Sequence, residues 1–179
     1  MLGVFTSGCL TVCLAIELIH VPTNLLFDIS KIDLDQVTIA PDDVFDYNPQ
    51  SGDMRHLDHV IWLDRETSSG LGVKHVREDE FWVPGHIPGR PLLPGVIMIE
   101  AAAQLSSVLY KWRSNMPADR FLGFTRCDDC IFRGQVVPGD TLYLLVKEKK
   151  FGERRFSCDA QGVVDGKLVF EVKITGMRI

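Results

Sequence analysis

Residues 85–104 read Gly85-His86-Ile87-Pro88-Gly89-Arg90-Pro91-Leu92-Leu93-Pro94-Gly95-Val96-Ile97-Met98-Ile99-Glu100-Ala101-Ala102-Ala103-Gln104. A loop stiffened by proline and glycine runs here into an apolar pattern that continues to Trp112 with helical spacing. Pro94 suits a helix start, where a backbone N–H has no partner in any case. The pattern predicts one long helix from Pro94 to about Trp112, apolar nearly all round and therefore buried.

Segments with strand character surround this helix. Two precede it, at residues 60–63 and 70–76, and four follow it, at 120–127, 141–150, 154–164 and from 168 onward. Turns are predicted between the later strands, and Asp165-Gly166 has the composition of a two-residue hairpin turn. One central helix followed by an antiparallel meander predicts an α+β fold, in which a curved antiparallel sheet wraps the helix.

The N-terminal part lies outside this pattern. The first sixteen residues carry no charge, but a membrane span needs about 20 apolar residues and a signal peptide needs a basic start. We expect an amphipathic helix near residues 10–19 that packs on the body or on a partner, with a signal or anchor and an over-extended start codon as alternatives. Residues 28–59 are predicted to be an irregular lead-in. The domain division is an extension of unknown role, 1–45, and the main domain, 46–179.

Composition and charge exclude several classes of protein. The chain has 179 residues with a net charge of −5, so a generally basic nucleic-acid binder is not expected. The charge is uneven: residues 1–110 carry 6 Lys/Arg against 15 Asp/Glu, and residues 111–179 carry 13 against 9. Five scattered cysteines argue against a disulfide framework and for a reducing, cytoplasmic location.

His86 and Glu100 are the candidate base and acid. Histidine is the side chain whose unperturbed pKa lies nearest neutrality, and a glutamate among apolar neighbours is expected to be desolvated, which favours its protonated form. Such a pair moves protons on and off carbon and oxygen. With three prolines between them, the two cannot be neighbours on one helix, so their meeting depends on the tertiary fold or on a partner chain.

Residues 85–96, followed by residues 100–104, resemble the signature of the FabA/FabZ-type β-hydroxyacyl-acyl-carrier-protein dehydratases. Two further pieces agree: residues 60–65, and the approach Phe-Arg-Gly-Gln-Val to a Val-Pro-Gly-Asp turn at 132–140. The resemblance spans about residues 55–179 and implies the hot-dog fold. Glu100 resembles the FabZ-type branch, because the isomerising FabA-type branch has an aspartate there.

The resemblance implies dehydration of (3R)-3-hydroxyacyl-acyl carrier protein to the trans-2-enoyl form, in fatty-acid or related acyl-chain biosynthesis. His86 would remove the α-proton, and Glu100 would protonate the departing hydroxyl, directly or through a water. The N–H of Gly95, in the first turn of the helix, would hold the thioester carbonyl, with the N–H of Val96 as a second donor. No metal or organic cofactor is required.

Partners and neighbouring residues follow from the same resemblance. The family completes the pair across a dimer interface, which implies a homodimer here, with a higher assembly as an alternative. The acidic acyl carrier protein would dock near Arg90 and Arg133. Three residues would line the acyl tunnel and depart from the usual family residues at the site: Trp82 and Val83, in a Trp-Val-Pro run that replaces Phe-Phe-Gln, and Ile87, which replaces phenylalanine. Gln104 either orients Glu100 or satisfies a backbone group.

Other readings stay open. A hot-dog acyl thioesterase would activate water at the same carbonyl, and a non-catalytic acyl-carrier or lipid-binding protein would lack one of the pair. The motif Cys127-Asp128-Asp129-Cys130 has no second Cys pair, which a structural zinc site needs. His56 and His59 are predicted to be surface or loop residues. A basic cluster at residues 147–155 is predicted to be a solvated hairpin, with carrier docking as the alternative.

Overall fold

One long helix packs on a six-stranded sheet. The computed structural model describes residues 25–117 and 120–179. The helix is α1 (Gly95–Ser114), and the sheet order is β1-β2-β4-β5-β6-β3, with every neighbouring pair antiparallel. The strands are β1 (His59–Asp64), β2 (Ser69–His75), β3 (Leu122–Phe132), β4 (Thr141–Phe151), β5 (Arg155–Val164) and β6 (Lys167–Arg178). The predicted α+β fold, a helix and an antiparallel sheet, is confirmed.

The helix forms the centre of the core, as its apolar pattern predicts. Eleven of its twenty residues are buried, and Ala101, Leu105, Val108 and Leu109 have no exposed surface. Asn115 directly follows the helix and caps it: the residue adopts a left-handed conformation and donates its N–H to the carbonyl of Lys111. Because the helix is buried on several faces, its packing in the core also fixes the position of the backbone N–H groups at its N-terminus.

The predicted β5–β6 hairpin is confirmed, and β3 is longer than predicted. Asp165 and Gly166 both have positive φ, 48° and 71°, as a two-residue turn between twisted strands requires. β3 runs to Phe132, whereas the sequence pattern predicts an end near residue 127. Two register shifts interrupt its pairing with β6, and Asp129 has φ 50°. Such bulges break the alternation of side chains that the prediction used.

The lead-in packs against both faces of the sheet. Three short 3-10 turns lie in it, Ile29–Lys31, Asp43–Asp46 and Gly52–Met54. Ile29 joins Leu71 and other residues on the face away from α1, whereas Ile39 and Val44 belong to the main core. The division at residue 45 stays a prediction, and the helix expected near residues 10–19 lies outside the described residues. Within those residues, no helix has the length and apolar character of a membrane span.

Candidate active site

The predicted base lies in a long loop that is fastened at both ends. We call residues 76–94 the histidine loop. At one end the N–H of Val76 donates to the carbonyl of Asp140 (3.0 Å), and near the other the N–H of Leu93 donates to the carbonyl of Val136 (2.8 Å). Asp140 is the last residue of the Val-Pro-Gly-Asp turn that the sequence singled out, and Val136 directly precedes that turn. That turn therefore supports both ends of the loop.

His86 is held by its backbone and by one ring nitrogen. Its N–H donates to the carbonyl of Trp82 (2.8 Å), and its Nδ1 lies 2.8 Å from the carbonyl oxygen of Leu92. A carbonyl oxygen only accepts, so Nδ1 carries the proton of the neutral ring and Nε2 carries the lone pair. The side chain is exposed. In this tautomer the lone pair on Nε2 is available to accept a proton.

Glu100 lies in the second turn of α1 and is partly buried. Its Oε1 accepts two amide hydrogen bonds, one from Nε2 of Gln104 (2.9 Å) and a longer one from Nε2 of Gln50 (3.3 Å). Both bonds fall on the same oxygen, which fixes the plane of the carboxylate. The sequence did not point to Gln50, because it belongs to the irregular lead-in and carries no motif.

Gln104 is buried and its amide is fully engaged. Its Oε1 accepts from the backbone N–H groups of His56 (3.0 Å) and Leu57 (3.1 Å). Its Nε2 donates to the carbonyl of Met54 (2.8 Å) as well as to Glu100. Two backbone donors require the oxygen on their side, so the orientation of the amide is determined. The residue makes both contacts that the sequence left as alternatives.

The first turn of α1 presents two backbone donors. The carbonyl of Pro94 accepts from the N–H groups of Ile97 (2.9 Å) and Met98 (3.3 Å). The N–H groups of Gly95 and Val96 precede these and have no acceptor within the helix. Val96 is 71% exposed, so this end of the helix opens to the surroundings. It can donate to a carbonyl oxygen placed there.

Phe132 lies against Gly95. A Cβ atom built on Gly95 would lie 2.5 Å from the nearest atom of the Phe132 ring, so a larger residue requires that ring to move. Phe132 is also half exposed. It belongs to the second matched motif, but the sequence pattern alone indicates no role for it. The ring forms one wall of the space in front of the helix N-terminus.

Glu100 and His86 share no hydrogen bond in the described part of the chain. The ring of His86 bonds to the loop carbonyl, and the Glu100 carboxylate bonds to two amides. The structure thus holds each member of the predicted pair separately. It provides a base, a carboxylate and a helix N-terminus from adjoining parts of one motif.

Comparison with known proteins gives the family. The family model of the FabA-like domain matches residues 48–173, about 70% of the chain. The chain belongs to the FabA-like family. Its curated relatives include the 3-hydroxyacyl-[acyl-carrier-protein] dehydratase FabZ of Sinorhizobium medicae, 37% identical over 125 residues, and that of Bartonella quintana, 34% identical over 125 residues. Each alignment covers 69% of this chain and 79% of the relative.

Solved structures show the fold. The dehydratase heterocomplex ApeI:P from Xenorhabdus doucetiae matches with a TM-score of 0.66 and 18% identity, over 76% of this chain and 90% of that chain. A hypothetical thioesterase from Streptococcus pneumoniae, solved with coenzyme A, matches with a TM-score of 0.53 and 9% identity, over 68% and 84%. The FabA-like chain therefore has the hot-dog fold that its motif implied.

The predicted tunnel residues of this FabA-like chain occupy different environments. Trp82 is buried and donates from Nε1 to the Glu80 carboxylate (2.9 Å), Val83 is half buried and Ile87 is 37% exposed. A cleft of about 210 Å³ lies between α1 and β3, lined by Gln50 and Gln104 among others. None of the three predicted residues lines it, and their tunnel role stays a prediction.

The structure shows the surroundings of the residues that were predicted to lie at the surface. Arg90 is exposed, whereas Arg133 forms an ion pair with Glu171. Within the basic cluster, Lys149 pairs with Asp159 at 3.4 Å. His56 lies in a loop, as one of the two predicted alternatives has it, but it is 2% exposed and not at the surface, and its backbone N–H donates to Oε1 of Gln104. His59 is the first residue of β1 and is half buried, so the prediction of a surface or loop position is wrong for it.

Proposed function

We propose that this FabA-like chain removes water from (3R)-3-hydroxyacyl-acyl carrier protein to give the trans-2-enoyl thioester, in fatty-acid or related acyl-chain biosynthesis. The names of its curated relatives support the reaction class. The observation that carries the assignment of residues is the 2.8 Å contact between Nδ1 of His86 and the carbonyl oxygen of Leu92, because in the neutral ring it places the proton on Nδ1 and leaves the lone pair on Nε2. No metal or organic cofactor takes part in the proposal.

The reaction follows from these groups. Nε2 of His86 removes the proton on Cα, and the electron pair forms the Cα–Cβ double bond as the Cβ–O bond breaks. Glu100 gives its proton to the departing hydroxyl, directly or through a water, and the products are the enoyl thioester and water. The N–H groups of Gly95 and Val96 bind the thioester oxygen while negative charge develops on it. Loss of one such donor typically costs about 10²- to 10³-fold in rate.

The proposal includes a homodimer joined through β3, which would bring His86 of one chain to Glu100 of the other. β3 is an edge strand of the described sheet, and Phe124, Ile131 and Phe132 on it are each between 44% and 49% exposed. A long edge strand with exposed apolar side chains favours pairing with another strand. Such pairing would also account for the exposure of His86 in a single chain.

The carrier protein would approach the same face. Carrier proteins of this class are acidic, and Arg90 lies exposed in the histidine loop itself. Arg133 follows directly on Phe132, which lies against the helix N-terminus, and would exchange its contact with Glu171 for an acidic group of the carrier. A reducing, cytoplasmic compartment fits the three free cysteines among the described residues.

One assay tests the function. A 3-hydroxyacyl thioester is offered to the protein, and enoyl absorbance and free thiol are followed together. Enoyl formation is expected, and it should be lost in His86→Ala and Glu100→Gln with the oligomer intact. Release of thiol would identify a thioesterase, and neither product would identify a binding protein. Full enoyl formation in both variants would refute the assigned roles.

A further inference from the structure

A buried ion pair joins the histidine loop to the sheet. Lys74, on β2, has no exposed surface, and Glu80, in the loop, is 6% exposed. Nζ of Lys74 lies 2.9 Å from both oxygens of the Glu80 carboxylate. Burial of two charges removes their hydration, and such a pair often gives no net stability over an apolar replacement. Stability alone therefore does not explain why this buried ion pair is present.

The Glu80 carboxylate accepts hydrogen bonds from several neighbouring groups of the histidine loop. Besides Lys74, it accepts from the backbone N–H of Arg77 at Oε1 (3.0 Å) and from the indole Nε1 of Trp82 at Oε2 (2.9 Å). Burial raises the pKa of Glu80, but these hydrogen bonds and the charge of Lys74 outweigh it and hold the pKa below its ordinary value. The carboxylate is therefore charged, and each oxygen has two donors.

Trp82 connects this cluster to the base. Its side chain is 4% exposed and is oriented by the bond to Glu80. Its backbone carbonyl accepts from the N–H groups of Gly85 (3.2 Å) and His86 (2.8 Å). One residue thus has its indole fixed by the ion pair and its carbonyl fixed to the backbone of His86.

We propose that Lys74, Glu80 and Trp82 are positioning residues for His86. They hold the turn at residues 82–86 so that Nδ1–H of the ring reaches its carbonyl acceptor and Nε2 keeps its lone pair toward the substrate. The proposal rests on the proposed function, in which His86 is the base.

Two variants test the cluster without leaving a buried charge unpaired. Trp82→Phe removes only the indole N–H and keeps an aromatic ring. The double variant Lys74→Met/Glu80→Gln removes both charges at similar volume. Two donors remain, the backbone N–H of Arg77 and the indole N–H of Trp82, which the two oxygens of Glu80 serve separately and which the single amide oxygen of glutamine cannot serve in the same way. Tyr110→Phe is the matched control: Tyr110 is also buried, and its OH donates to the carbonyls of Gly152 (2.8 Å) and Glu153 (3.0 Å), near the other end of α1.

Steady-state kinetics and the ¹⁵N spectrum of His86 are measured for each variant. We expect kcat to fall by about 10- to 100-fold in the double variant, and by less in Trp82→Phe, with little change in KM, because misplacement of a catalytic group acts on the chemical step. The His86 spectrum should change from the Nδ1–H form to a mixture of tautomers. Tyr110→Phe should lose thermal stability while its kcat and His86 spectrum stay as in the wild type.

The proposal is overturned if both cluster variants lose only thermal stability, as the control does, with kcat and the His86 tautomer unchanged. An inactive wild type would instead refute the proposed function. The tautomer measurement needs no turnover, so it still tests the positioning role in that case.

Discussion

The side-chain amide of Gln104 donates a 2.9 Å hydrogen bond to the carboxylate of Glu100, one helical turn earlier on α1. The same amide accepts two backbone N–H groups of the lead-in. The carboxylate proposed as the acid is therefore connected, through one side chain, to a segment about 50 residues earlier in the chain. Gln104 thus orients the proposed acid through its Nε2 and holds the lead-in against α1 through its Oε1.

Two substitutions separate these contributions of Gln104. Gln104→Ala leaves two buried N–H groups without an acceptor and should lower the free energy of unfolding by about 2–4 kcal/mol. Gln104→Glu still accepts both N–H groups, but its second oxygen faces Glu100 and the Met54 carbonyl, which are acceptors. We expect a folded protein of lower stability, because the new carboxyl is buried beside two acceptors, with at least about a tenfold loss of kcat, measured by urea unfolding and by enoyl formation under conditions in which the variant is folded. Full kcat in Gln104→Glu would show that the residue is structural only.

The effect of a substitution at Gly95 on stability should depend on the side chain at position 132. Gly95→Ala places a Cβ against the Phe132 ring and should reduce stability. In a Phe132→Ala background the same change should stabilise by about 0.5 kcal/mol, because alanine restricts the unfolded chain. Enoyl formation should fall in both backgrounds, since the Cβ occupies space in front of the first-turn N–H groups. Equal effects on stability in both backgrounds would contradict the contact.

His56 predicts a specific dependence of stability on pH. Burial, followed by the charge of Lys74, lowers the pKa of His56 from 6.5 to about 4, despite opposing contributions from Glu80 and Asp58. Between those values the unfolded chain binds a proton that the folded protein does not, so stability falls as the pH drops from 6.5 to 4. The full loss is about 3 kcal/mol. Urea unfolding at fixed protein concentration should show a smaller decline in His56→Phe, and an unchanged decline would exclude His56 as its source.

The β3 edge should be necessary for assembly and for activity. Phe124→Lys with Ile131→Lys places two charges among the exposed apolar side chains of β3, and should yield a monomer by light scattering with no enoyl formation. Val37→Lys is the matched control, since Val37 is 52% exposed in the lead-in. A double variant that remains dimeric and active would place the interface elsewhere.

The features that could be predicted from the sequence are those with a continuous local pattern of residues. The helix, the hairpin turn and the candidates His86, Glu100 and Gly95 all lie in segments whose periodicity or turn chemistry is continuous in the chain. The contacts of Gln50, Lys74 and Phe132 could not be predicted, because each joins its residue to a partner across the tertiary fold or across a loop without periodicity. The end of β3 was misplaced for a related reason, since a bulge interrupts the alternation on which strand prediction depends.

The most direct test of the account is subunit complementation. His86→Ala and Glu100→Gln chains are co-expressed in equal amounts, and enoyl formation is compared with that of each variant alone. If the base and acid come from different chains of a two-fold dimer, half of the dimers are mixed and each mixed dimer has one intact site. The mixture should then show about a quarter of wild-type activity. A mixture as inactive as its two components would contradict a site shared between chains.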